Sequence, residues 1–97
     1  MATYIMLSHY TQQGVQKVKD SPKRVVAARK AFKSLGVDLK AWYALMGRYD
    51  TLAIIEAPDA ETAGRAALAL ASLGNVSTET IRAFTEDEFK KLVAGLP

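Results

Sequence analysis

Four side chains in this sequence have the type and setting for chemistry: His9, Tyr43, Tyr49 and Asp50. His9 is the only histidine. Near neutral pH a lone imidazole can act as a base or bind a metal. No carboxylate stands at ligand spacing around it, so the expected place for His9 is a strand end at a surface or interface. Tyr49 and Asp50 set a phenol beside a carboxylate, which suits proton transfer or the holding of a polar ligand. They also suit a hairpin, with the tyrosine packed over the turn and the aspartate satisfying backbone donors. The hairpin reading is preferred because it needs no substrate. Tyr43, with Tyr4 and Met6, could line an aromatic cavity between sheet and helices or between subunits. Plain interface packing is the simpler role. Glu56 and Arg82 could meet across the sheet or a dimer axis, and a salt bridge or strand-end solvation is the expected role. The candidate ligand-binding residues are therefore Tyr4, His9, Tyr43, Tyr49 and Asp50.

Other chemistries leave no trace. There is no phosphate-cradling glycine loop, no nucleophile elbow and no cluster of metal ligands. The chain has no cysteine, which removes disulfides, thiolate metal sites and cysteine nucleophiles together. No cofactor is called for.

These residues must be positioned by elements that the sequence marks in order. Thr3 to Tyr10 is rich in aromatic and β-branched residues and reads as a first strand, apolar on both faces and so central. Val15 to Asp20 makes a short helical turn. Ser21-Pro22 opens a helix, with Ser21 as N-cap, that runs to Leu35 and buries Val25, Ala28, Phe32 and Leu35. Val37 to Met46 is a second strand, with Leu39, Ala41, Tyr43 and Leu45 on one face. Gly47-Arg48 reads as a two-residue turn, because glycine takes the positive φ that a type II′ turn needs. A third strand follows, from Tyr49 or Asp50 to Ala57. That turn pairs Leu45 with Asp50, Tyr43 with Leu52 and Ala41 with Ile54.

Asp59 caps an alanine-rich helix, Ala60 to Leu73, with Ala63, Ala66, Ala67, Leu70 and Leu73 buried. Val76 to Ala83 is a polar strand suited to a sheet edge. Thr85-Glu86-Asp87-Glu88 is a capping box flanked by the staple pair Phe84 and Phe89, opening a short terminal helix. The order β-α-β-β-α-β is the ferredoxin-like split βαβ arrangement, with sheet order 4-1-3-2 and both long helices on one face. Tyr4, Met6, Tyr43, Leu45, Leu52 and Ile54 are expected on the other face. An apolar face of that size predicts a second copy packed sheet to sheet.

Length and charge set bounds. Ninety-seven residues make one domain with a modest core, one that self-association would enlarge. The net charge of +3 is small. The bases from Lys17 to Lys33 are expected to be a solvated helix face rather than a nucleic-acid stripe. No run approaches the ~20 apolar residues of a membrane span. The amino terminus lacks a basic leader, and with no cysteine the expected compartment is the cytoplasm.

Gly47-Arg48-Tyr49-Asp50, followed by Glu56-Ala57-Pro58-Asp59, resembles the GYD family, named for its glycine-tyrosine-aspartate signature. Matching segments are Tyr4-Ile5-Met6-Leu7, Thr11 with Gly14, Asp20-Ser21-Pro22 with Arg24, Gly74-Asn75-Val76 with Thr78-Glu79-Thr80, and Arg82-Ala83-Phe84-Thr85. The resemblance implies a small ferredoxin-like, dimeric α/β-barrel protein and supplies no reaction. The expected function is a homo-oligomeric, non-enzymatic module that can bind a small apolar or aromatic ligand. The alternative is a cofactor-independent enzyme resembling the antibiotic-biosynthesis monooxygenases, assisted by Tyr43, Tyr49, Asp50 or His9. The fold hosts both.

Overall fold

The computed structural model covers residues 1–97. Its elements are β1 (Ala2–Tyr10), α1 (Gln12–Gln16), a single 3-10 turn (Val18–Asp20), α2 (Ser21–Ser34), β2 (Asp38–Ala44), β3 (Thr51–Ala57), α3 (Ala60–Ala71), β4 (Val76–Ala83) and α4 (Glu86–Ala94). The strands form one antiparallel sheet in the order β2-β3-β1-β4. This is the ferredoxin-like arrangement that the element order implies. The central strands are β1 and β3, whose apolar residues occupy both faces.

The core lies between one sheet face and the two long helices. Tyr4 and Met6 of β1, Ala53, Ile55 and Ala57 of β3, and Leu39 of β2 meet Phe32 of α2 and Ala63 and Ala66 of α3. Met6 and Ile55 are completely enclosed. Truncating such a side chain to alanine costs about 2–5 kcal/mol. Asp59 caps α3, its Oδ1 accepting from the Thr62 N–H at 2.8 Å and the Thr62 hydroxyl at 2.7 Å.

The Tyr4/Met6 face of β1 is therefore covered by helices, against the expectation that placed both residues on the open face. Thr3, Ile5, Leu7 and His9 take that open face instead. Both phases of this strand are apolar, so alternation alone cannot orient it. A second correction falls in β2. The register slips between Leu39 and Ala41, so Leu39 pairs with Ile55 while Ala41 pairs with Ile54. This bulge at Lys40 turns Leu39 into the core and leaves Ala41 and Tyr43 facing outward. Beyond it the expected pairs hold: Tyr43 lies opposite Leu52, and the Leu45 N–H donates to the Asp50 carbonyl at 2.8 Å.

The tip between β2 and β3 is a wider loop than the two-residue turn expected. Gly47 has φ 110°, a conformation other residues resist. At the start of α2, Ser21 is the first helical residue rather than the cap. The 3-10 turn runs straight into the helix and satisfies the Ser21 N–H through the Val18 carbonyl. That frees the serine hydroxyl for other use. In α3, Leu73 lies past the helix end and is 65% exposed rather than buried. The α4 capping box forms as expected: the Thr85 side chain accepts from the Glu88 N–H, and the Glu88 carboxylate accepts from the Thr85 N–H. Phe84 and Phe89 beside it are each more than half exposed.

Candidate functional site

Two places gather side chains with chemical potential, one on each side of the sheet. The first is the open face. Its rows follow from the register: Ala41, Ile54, Ile5 and Ile81 lie side by side, with Tyr43, Leu52, Leu7 and Glu79 in the next row. Tyr43 is 56% exposed and Ile81 44%. Glu56 at the rim pairs with Lys40 at 3.4 Å, and Arg82 pairs with Glu88 at 3.4 Å, so a Glu56–Arg82 bridge does not form. Arg82, opposite Tyr4 in the register, belongs to the other face of the sheet and lies over the rings of Tyr4 and Phe84, 5.6 Å and 4.5 Å from their centroids.

At one end of this face, Gly47 lets the chain swing so that Tyr49 stacks on His9, ring centroids 4.8 Å apart. The Tyr49 hydroxyl donates to Glu79 Oε2 at 3.1 Å. That hydrogen bond, reinforced by the negative charge of Glu79, holds the phenol above its ordinary pKa. Asp50 turns the other way. Its Oδ2 accepts from the Tyr10 N–H at 2.8 Å, and its own N–H donates to the Ser8 carbonyl at 2.8 Å. The carboxylate thus finishes β1 where that strand runs beyond β3.

The second place is a cavity of about 400 Å3 between the helices and the sheet. It exists because Ala28 and Ala31 of α2 and Ala69 of α3 are too small to fill the space above Met6, Ala53 and Trp42. Its walls are mostly apolar, and its volume suits a small-molecule site. At one end three polar residues are linked. Tyr10 Oη and Ser21 Oγ share a hydrogen bond of 3.1 Å. Arg24 Nη2 donates to Ser21 Oγ at 3.0 Å and to the Gly14 carbonyl at 3.1 Å. The chain's ion pairs join Lys40 to Glu56, Arg65 to Glu61 and Arg82 to Glu88, and none engages Arg24.

This end is braced from outside. The Thr11 hydroxyl accepts from the Gly14 N–H and donates to the Gly74 carbonyl, and the Thr11 N–H donates to the Asn75 carbonyl. Gln13 Nε2 reaches the Leu73 carbonyl and Asn75 Oδ1. Gly14 packs so tightly that an added Cβ would lie 1.9 Å from the Asn75 carbonyl oxygen.

The five residues singled out from sequence do not converge. His9, Tyr49 and Tyr43 belong to the open face, Tyr4 to the core and Asp50 to a strand end. Of the trio that could line a cavity, with interface packing the preferred role, only Met6 lines one; Tyr4 and Tyr43 do not. Tyr10, Ser21 and Arg24 escaped that reading. The available signal was their place beside segments quoted for the family likeness: Thr11 with Gly14, Ser21-Pro22 with Arg24, and Gly74-Asn75. No group of metal-ligating side chains gathers anywhere in the chain, and no helix is long and apolar enough to cross a membrane.

A sheet with one bare face and a hollow beneath its helices defines a small ferredoxin-like protein. The match to the GYD domain spans residues 4–93, and the chain belongs to that family. It is 39% identical over 84 residues to the glutamine synthetase and cystathionine beta-lyase binding protein of Thermus thermophilus, covering 86% of this chain and 88% of that relative. It also resembles the crystal structure of TTHA0845 from Thermus thermophilus, with a TM-score of 0.57 and 26% identity over 88% of this chain and 95% of that one.

Proposed function

We propose that the chain is a self-associating binding module that works by contact rather than by a reaction, with room for a small, largely apolar ligand under its helices. The observation that carries this is the uncovered row Ala41, Ile54, Ile5 and Ile81, backed by Tyr43, Leu52 and Leu7. The occupant we assign to it is a second copy. Of the three carboxylates on this face, Glu56 is paired with Lys40, Glu79 accepts from the Tyr49 hydroxyl, and Asp38 lies opposite Glu56 at the outer end of β2. The rows between them, from Ala41 to Ile81 and from Tyr43 to Leu7, carry no charge, so two such faces can meet with their acids left at the margin. The chain needs that burial: only 15 of its 97 residues are buried, and the apolar gain from pairing compensates a small core. The Thermus relative, by its name, binds glutamine synthetase and cystathionine beta-lyase, which supports extending action by binding to this chain.

The enzyme alternative is the weaker reading on geometry. His9, Tyr43 and Tyr49 are separated from the cavity by the sheet, and the Asp50 carboxylate is committed to a backbone N–H.

Light scattering on the purified protein tests the proposal. The expected mass is that of two chains, falling to one chain, with unchanged circular dichroism, when Ile54 is replaced by aspartate. A wild-type protein that stays a single chain at micromolar concentration, or an Ile54→Asp variant that stays paired, overturns it.

A further inference from the structure

The cavity has a chemical polarity of its own, and we propose that it takes a small amphiphile with one carboxylate head, held by Arg24 with its apolar body lying against Trp42 and Met6. The inference rests on the ligand-binding half of the function proposed above and names the ligand's class. The walls offer an aliphatic or aromatic body little but carbon. The polar residues of the lining include one cation and no acid: Ser8, Tyr10, Ser21, Arg24, Thr51 and Asn75. Arg24 is half-buried, lacks an acidic partner, and uses only Nη2 within the protein, on Ser21 Oγ and the Gly14 carbonyl. Its remaining guanidinium N–H groups are donors in the planar fork that matches a carboxylate. Because Nη2 is tied to the carbonyl of Gly14, a residue itself pinned by Thr11, the guanidinium is pre-oriented, and binding spends little on ordering it.

The charge count selects among anions. A carboxylate meets one guanidinium with one charge. A phosphate monoester would carry a second charge against an apolar wall with no cation to meet it. A neutral alcohol of the same length offers that guanidinium edge a single uncharged acceptor in place of the two charged oxygens of a carboxylate.

Trp42 is the only tryptophan and lines the cavity, so its emission reports occupancy directly. The test titrates the intact protein near neutral pH with octanoate, 1-octanol and octyl phosphate, following Trp42 emission and heat of binding. Octanoate is expected to bind about tenfold or more tightly than octanol, with octyl phosphate weaker than octanoate. Arg24→Gln, checked for an unchanged circular dichroism spectrum, is expected to bring octanoate down to the affinity of octanol. The wild-type comparison decides the matter even if that variant fails to fold. Equal binding of octanoate and octanol overturns the carboxylate assignment while leaving a ligand cavity in place. Tighter octyl phosphate overturns it in favour of a phosphate head. No response to any of the three overturns both this inference and the ligand-binding reading beneath it, without touching self-association.

Discussion

Replacing Gly14 by alanine would drive a Cβ into the Asn75 carbonyl, backbone against backbone, with no flexible atom to yield. The expected cost is about 1–3 kcal/mol, read from urea unfolding. The same variant should weaken any ligand held by Arg24, because the Gly14 carbonyl orients that guanidinium. Asp50→Ala strips the acceptor from the Tyr10 N–H at a half-buried strand end and should cost about 1–2 kcal/mol. Tyr49 carries a pH signature. Its folded pKa is raised, so its hydrogen bond to Glu79 supports the fold fully below the ordinary tyrosine pKa of about 10 and is lost as pH climbs through the higher folded value. Tyr49→Phe is therefore expected to flatten the alkaline end of a stability-versus-pH curve and leave its neutral region's slope unchanged.

The elements are largely legible in the sequence because their signals are local and mutually consistent. The β2–β3 pairing beyond the bulge and the α4 capping box follow from residues a few positions apart, and the strand order follows from the order of elements and the handedness of their crossovers. What escapes reading depends on the third dimension. β1 carries Tyr4 and Met6 on one side and Ile5 and Leu7 on the other, so only the packed helices decide which side is covered. The bulge at Lys40 has no residue signal of its own. The cavity is written in what α2 and α3 lack, large side chains at Ala28, Ala31 and Ala69, and absence of volume resembles ordinary helix-forming alanine in a sequence. Ser21 departs from its expected capping role for a related reason: its hydroxyl serves the Tyr10–Arg24 link once the 3-10 turn satisfies its backbone.

Helix ends give a prediction at this same scale. The Thr85 N–H holds the Glu88 carboxyl below its usual range, and the Thr62 hydroxyl and N–H do the same for Asp59. Both contributions are present above the ordinary carboxylate pKa and fade as pH falls through the lower folded values. The protection factors of the α4 amides, exchange measured against the intrinsic rate at each pH, should fall in acid, and Thr85→Ala, which removes the cap, should lower them already at neutral pH. Because α4 buries none of its residues, that variant should barely move the melting of the rest.

At the scale of the whole molecule the chain is a thin slab, 51 × 31 × 17 Å in its principal Cα extents, with its long helices on one side of the sheet only. If two slabs close on each other, folding and association are linked. The melting temperature should then rise with protein concentration, a dependence expected to vanish in Ile54→Asp. A calorimetric series over a hundredfold concentration range measures it.

The kink at Lys40 also governs how far such growth can go. A straight outer strand invites further chains to add on laterally without limit. Here one margin of the sheet is bent out of register at Lys40 and tethered to Glu56, and the opposite margin is the polar run Ser77-Thr78-Glu79-Thr80. Both borders thus disfavour lateral stacking into filaments, and the face-to-face pairing proposed above would end once two faces are consumed.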